Sequence, residues 1–266
     1  MKLQVNGIDL AYDVHGSAGR PWVVMIHGFP FTRATWSAQA AALGGEFRVL
    51  TWDLRGLGES GLGPLPQPLE AYVDDLLGLM DALGIRQAGL VGLSMGGYIA
   101  LRAVQRAPER FRALALCDTR SDPDSDEGKL GRAAAIKTLH AGGLDGFVTA
   151  MLPKLLRRPE SAAGRELLAL MRSNHAAGMA NALAAMQGRT DITPALASFA
   201  LPTLVIVGRE DALTPPALSE AIVAKIPGAR LAVLDDAAHV SNLEAPAAFD
   251  AALLAFLREA AIPAAA

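Results

Sequence analysis

Cysteine is nearly absent. Cys117 stands alone in 266 residues, so no intrachain disulfide can form, and no Cys or His cluster has metal-ligand spacing. No metal is expected. Strong charge is missing too: a net charge of -3, with no long run of one sign, leaves no electrostatic footprint for nucleic acid and no polybasic patch for a membrane surface. No apolar run is long enough to span a bilayer. The opening MKLQVNGIDLAYDVHG alternates apolar and polar residues, as a hairpin does, and lacks the apolar centre of a secretory signal. These absences point to a cytoplasmic protein that meets a small, uncharged or weakly charged partner, and they leave the oligomeric state open. Apolar material, by contrast, is plentiful. Hydrophobic residues make up 52% of the chain against 19% charged, enough for one sizeable core at a length typical of a large single α/β domain.

Beyond the hairpin, continuous apolar strands alternate with helical patterns. Strands are predicted over Trp22–Gly28, Phe47–Asp53, AGLVGL (88–93), Arg112–Thr119, TLVIVGRED (203–211) and ARLAVLDD (229–236). Helices are predicted around Thr35–Leu43, Leu69–Leu83 and SMGGYIALRAVQRA (94–107). With the hairpin this makes a mostly parallel sheet of eight strands, covered by helices on both faces. Between Asp118 and about Ala200 strand signals vanish and four helical patterns follow, over Glu127–His140, Leu144–Leu152, Glu160–His175 and Ala177–Gln187. The expected organisation is therefore a core of residues 1–118 and 200–262 carrying a helical cap, 119–199. The Ala-rich 263–266 is expected to be a frayed tail. A cap inserted beyond a strand's C-terminal end would cover the edge where open α/β sheets bind ligands.

Four stretches at that edge bear chemistry. GLSMG (92–96) puts Ser94 between glycines at a strand-to-helix junction, the setting of a nucleophile elbow; the competing interpretation is a plain helix N-cap. A serine hydroxyl is a poor nucleophile at neutral pH and needs a base, a group to orient that base, and donors for the oxyanion. Asp211 follows a strongly β-patterned run and can orient an imidazole, although a turn aspartate is common there. Asp118 is its rival, since it also ends a strand, and Glu210 is a weaker one. Asp211 is preferred because it keeps the order serine, acid, histidine and lies nearer the candidate histidine in the strand sequence. His239, in LDDAAHVSNLEAP, lies between the last strand and the last helix, whereas His15, His27, His140 and His175 sit where a plain hydrogen-bonded histidine is expected. HGFPF (27–31) follows a central strand, so the backbone amides of Phe29 and Met95 are the candidate oxyanion hole, with His27 shaping that loop.

These motifs together resemble the α/β-hydrolase superfamily over essentially the whole chain, through HGFPFTRATW, WDLRGLGES, GLSMGGY, GREDALTPP and DAAHVSNLEAP. The resemblance implies Ser94 as nucleophile, Asp211 as acid, His239 as base, the Phe29 and Met95 amides as oxyanion hole, and no cofactor. Within the superfamily the chain is similar to small bacterial carboxylesterases with a short helical cap and to 3-oxoadipate enol-lactonases. Its His27-Gly28-Phe29 departs from the Ser-Leu-Gly to which the lactonases tend. Haloalkane dehalogenases are similar as well, but place an aspartate where Ser94 stands. The implied activity is hydrolysis of short- to medium-chain carboxylic esters, with lactone opening as the alternative and a non-catalytic ligand receptor as a third possibility. Phe29, Phe147, Met151, Met171 and Val240 are the expected substrate-binding side chains; the cap methionines would otherwise simply pack its core. Arg157, Arg158, Arg172 or Arg189 would have to pair with the charge of an acidic lactone. GLGESG (56–61) satisfies Gly-x-Gly-x-x-Gly, but Pro64, Pro66 and Pro68 leave no helix to receive a pyrophosphate, so a dinucleotide is not expected.

Overall fold

The structure, a computed structural model, describes residues 1–264. Of the expected tail, 265 and 266 lie outside the described residues. Strands β1 (Lys2–Val5), β2 (Ile8–His15), β3 (Trp22–Ile26), β4 (Arg48–Trp52), β5 (Ala88–Leu93), β6 (Phe111–Cys117), β7 (Thr203–Gly208) and β8 (Arg230–Leu234) form one sheet in the order β1-β2-β4-β3-β5-β6-β7-β8. β2 runs antiparallel to β1 and β4; every other pairing is parallel. This is the eight-stranded, mostly parallel sheet expected from the apolar runs. β3, β5 and β7 are buried at every residue, which requires cover on both faces.

The helices are α1 (Ser37–Leu43), α2 (Leu69–Ala82), α3 (Met95–Arg106), α4 (Asp126–His140), α5 (Leu144–Leu155), α6 (Ala162–Arg172), α7 (Ala176–Gln187), α8 (Pro216–Val223), α9 (Ser241–Glu244) and α10 (Pro246–Glu259). α1 packs on α10, and α2 on α3. The two pairs cover opposite faces: a Cβ added at Gly89 of β5 would meet Leu257 and Ile262, whereas one added at Gly92 would meet the start of α3. Trp36 and Phe249 seal the α1–α10 face with ring centroids 6.0 Å apart.

α4 to α7 separate β6 from β7, and α4 packs on α7 while α5 packs on α6. Their seat on the sheet is close. A Cβ at Gly178, in the first turn of α7, would fall 1.7 Å from the Gly56 carbonyl oxygen. The glycine-rich 56–61 segment is thus a turn on which the inserted helices rest, and no helix begins until Leu69. The sequence ends the second inserted helix at Leu152, whereas α5 runs through Pro153 to Leu155. It also places His239 and the residues after it in a loop between the last strand and the last helix, where the short α9 forms.

Candidate active site

The candidate catalytic residues lie just beyond the C-terminal ends of parallel strands. His27 to Phe29 follow β3, Ser94 follows β5, Asp118 follows β6, Asp211 follows β7 and His239 follows β8. The elbow explains its own glycines. Ser94 has φ 52° and ψ -113°, a conformation costly for a residue with a side chain, and the turn is so tight that a Cβ at Gly92 would lie 2.4 Å from the Gly96 carbonyl oxygen. Ser94 makes no side-chain cap to α3. Its hydroxyl instead meets His239 Nε2 at 2.9 Å.

His239 Nδ1 lies 2.8 Å from Asp211 Oδ2. With a carboxylate on that side, Nδ1 carries the proton and Nε2 is left to accept from the Ser94 hydroxyl. Asp211 is held in turn: its Oδ1 accepts the amides of Leu213 (2.8 Å) and Thr214 (2.9 Å), and its Oδ2 accepts the Thr214 hydroxyl (2.6 Å). Burial alone would depress the pKa of His239, but the Asp211 charge and hydrogen bond, aided by Asp118, outweigh it and hold the imidazole above its usual value. Burial would raise Asp211, yet His239 and Thr214 win and its carboxyl sits below the ordinary range.

The rival acids have other partners. Glu210 forms an ion pair with Arg157, its Oε1 2.8 Å from Nε. Asp118, fully buried at φ 47°, accepts the Gly208 amide (2.9 Å) and the Ser241 hydroxyl (2.6 Å). His27 is also fully buried; its Nε2 accepts the Leu54 amide at 3.0 Å, its Nδ1 contacts the Gly28 carbonyl at 2.8 Å, and burial keeps it neutral by lowering its pKa. Phe31 N–H donates to Gly28 O at 3.0 Å, fixing the loop that carries Phe29. A Cβ at Gly28 would lie 3.1 Å from that of Ser94, so this loop passes directly beside the hydroxyl. Met95 begins α3, and its N–H has no intrahelical acceptor.

A cavity of about 810 Å³ opens above this edge, between the inserted helices and the core. Its apolar lining includes Phe29, Phe147, Met151, Leu183, Ala212 and Leu213, with the Phe29 and Phe147 rings 6.3 Å apart. Of the expected substrate-binding residues, Phe29, Phe147 and Met151 belong to this lining, while Met171 and Val240 are fully buried and, like Ser94 and His239, are not part of it. The four arginines considered for an acidic substrate are not in the lining either. Arg157 pairs with Glu210 and Asp236, Arg172 with Asp145, and Arg189 with Asp124 while lying 4.3 Å over the Tyr98 ring. The basic residues that do line the cavity are Arg132, paired with Asp124, and Lys154. Neither stands out in a sequence of scattered charges.

The stretch after His239 does more than its sequence announces. Ser241 binds Asp118; Asn242 Nδ2 donates to Thr35 O and Gln39 Oε1, both at 3.0 Å. Glu244 accepts the Ala238 amide with one carboxylate oxygen and the Arg157 amide with the other, each at 2.8 Å. The loop that carries His239 is therefore fastened both to the core and to the connection between α5 and α6. Among the described residues no cluster of His, Cys, Asp or Glu is arranged to hold a metal, and no helix is long and apolar enough to cross a membrane.

The same arrangement of sheet and inserted helices recurs in solved structures. A thermophilic esterase from Thermogutta terrifontis superposes with a TM-score of 0.93 at 35% identity, over 98% of this chain and 99% of that one. The enol-lactonase from Burkholderia xenovorans LB400 superposes with a TM-score of 0.90 at 31% identity, over 97% and 100%. A protein of Agrobacterium fabrum that carries the provisional name carbamate hydrolase RutD is 31% identical over 262 residues, 92% of this chain and 97% of its own. Residues 23–252, from the central strands through the insertion to the last helix, match a single family description, and the chain accordingly belongs to the alpha/beta hydrolase family.

Proposed function

We propose that the protein is a serine carboxylesterase acting on short- to medium-chain esters. The observation that carries this reading is the unbroken hydrogen-bonded chain from Ser94 through His239 to Asp211 on a buried strand edge. As the Ser94 oxygen bonds to the ester carbonyl carbon, its proton passes to His239 Nε2, and the amides of Phe29 and Met95 receive the negative charge on the former carbonyl oxygen. Collapse expels the alcohol, which takes the proton from His239 and leaves an acyl group on Ser94. Water, deprotonated by His239, then releases the acid and restores the serine. Asp211 supports the imidazolium at both stages.

Uncharged esters are favoured by the apolar side chains in the cavity wall, Phe29, Phe147, Met151, Leu183 and Leu213, which offer an ionised carboxylate no partner. Arg132 is committed to Asp124, and Asp124 to Arg189 as well. Lactone opening by the same residues is the second reading. It is supported by similarity to the Burkholderia enol-lactonase and by Lys154, an exposed ammonium in the cavity wall. Ser94→Ala is expected to abolish turnover of p-nitrophenyl butyrate while the protein stays folded; retained turnover refutes the nucleophile. A panel of neutral esters against anionic lactones ranks the two readings, and a higher kcat/KM on the anionic lactone reverses their order.

A further inference from the structure

Ser94, Asp211 and His239 sit on three separate loops, and a single stretch, Cys117 to Thr119, touches all three. The Cys117 carbonyl accepts the Ser94 amide at 2.8 Å, and the Thr119 hydroxyl donates to the Ser94 carbonyl at 2.8 Å. Between them the Asp118 carboxylate reaches the other two loops. One oxygen accepts the amide of Gly208, three residues before Asp211. The other accepts the hydroxyl of Ser241, two residues after His239, and lies 3.4 Å from the Ser241 amide. Asp118 is 0% exposed, and its backbone is held in the left-handed region at φ 47°, where a residue with a side chain persists only when its surroundings impose it. Among the described residues no lysine or arginine pairs with Asp118, so ionising it in the interior is costly, and a fold with no need of its charge would do better with a neutral side chain.

We propose that Asp118 is a second carboxylate of the site, a positioning residue that registers the acid and base loops against the nucleophile strand and adds its charge to that of Asp211 behind His239. The inference rests on the serine-hydrolase reading above. The charged groups facing His239 are Asp211 from the loop after β7 and Asp118 from the end of β6. Those facing Asp118 are Asp211 and His239, with the buried Cys117 thiol beside it pushed up by burial and by Asp118 itself. Burial and the neighbouring Asp211 raise the Asp118 pKa to about 7, partly offset by His239, Ser241 and Gly208. Asp118 is therefore ionised mainly above neutrality, the range in which His239 works as a base.

Labelling of Ser94 by diisopropyl fluorophosphate tests this without any natural substrate. The Ser94 oxygen bonds to phosphorus, fluoride leaves, and His239 takes the proton, so the acid limb of the labelling rate against pH reports the free imidazole. Asp118→Asn keeps the shape and tolerates the left-handed backbone. It is expected to slow labelling at pH 8 about tenfold and to move the acid limb down by about 0.5 pH unit or more, because His239 loses a facing negative charge. A purely structural Asp118 would leave the limb in place, and a folded variant whose profile coincides with that of the wild type overturns the proposal. Should Asp118→Asn not fold, Ser241→Ala decides: slower labelling across pH 6–9 supports the assignment, and an unchanged profile overturns it. A wild-type protein that is not labelled at Ser94 at all refutes the serine-hydrolase reading itself.

Discussion

Replacing Gly96 by alanine isolates the geometry of the oxyanion hole from the chemistry of the triad, because no titratable or nucleophilic group is altered. The added Cβ would lie 2.3 Å from the Ile26 carbonyl oxygen, 2.8 Å from its carbon and 2.9 Å from the His27 carbonyl oxygen. All three obstacles are backbone, so no side chain can rotate away. Ordinary carbon contacts begin near 3.5 Å, which forces the start of α3 and the end of β3 about 1 Å apart. Met95 travels with the first and the 27–29 loop with the second, so the gap between the two proposed donors widens by about that amount. A misplacement of this size costs about 100-fold in rate, in line with the roughly 3 kcal/mol attributed to one oxyanion donor. Overpacking should separately cost about 1–3 kcal/mol of stability. Gly146, exposed within α5 with nothing within 4 Å of its added Cβ, is the control: its alanine variant should be as active as wild type and stabler by up to about 1 kcal/mol. Steady-state kinetics on p-nitrophenyl butyrate, measured well below the melting temperature, should show kcat reduced with KM little changed. A folded Gly96→Ala protein with kcat within about threefold of wild type would refute the assignment of both amides.

Two further outcomes follow from the same site. Asp211→Asn should lower kcat by up to about 10⁴-fold, by presenting an amide where Nδ1–H needs an acceptor, and should shift the acid limb of kcat/KM to lower pH, since burial then acts on His239 without its main counter-charge; an unmoved limb contradicts the pairing. Stability and activity should peak at different pH. Asp118 has its pKa raised to about 7, so the folded state holds a proton that the unfolded chain releases near 4, and stability falls as pH rises across that interval. His239, also raised, contributes stability that is present below about 6.5 and lost as pH rises through its folded value. The carboxyls of Asp13, Asp122, Asp124 and Asp211 are lowered, so their contribution is lost only in stronger acid. Calorimetry from pH 4 to 9 should place the highest Tm on the mildly acidic side, where His239 is charged and catalysis fails; a Tm that climbs steadily to pH 8 contradicts this.

Much of the architecture is legible because parallel strands buried on both faces must be continuous apolar runs, and VVMI, GLVGL and TLVIV announce themselves. The positions of Ser94, Asp211 and His239, which the structure brings together, are legible for a local reason also, since each follows such a run at the strand's C-terminal end. What the sequence conceals are contacts whose partners are far apart in the chain. Nothing near Glu244 signals that its two oxygens serve Ala238 and Arg157, 6 and 87 residues away, nor does Asn174 advertise its bond to the Pro30 carbonyl, 144 residues distant. The lining of the cavity is concealed for the same reason. Periodicity assigns Met171 and Val240 to apolar faces without telling which side of the helix or loop meets the open space, and it cannot show that Arg189 would already be bound to Asp124.

Glu244 and Arg157 also set terms for altering what the protein accepts. The link through the Arg157 amide does not depend on that residue's side chain, whereas its guanidinium adds only the modest strength of solvent-exposed ion pairs to Glu210 and Asp236. Grafting the inserted helices of a relative onto this sheet thus transplants one half of a two-part fastening whose other half sits on the histidine's own loop. A chimera that preserves the path of the backbone at 157 and the carboxylate at 244 keeps its imidazole aligned even if the charges at the surface change. One that shortens the connection between the second and third inserted helices exchanges a new specificity for a loosened base.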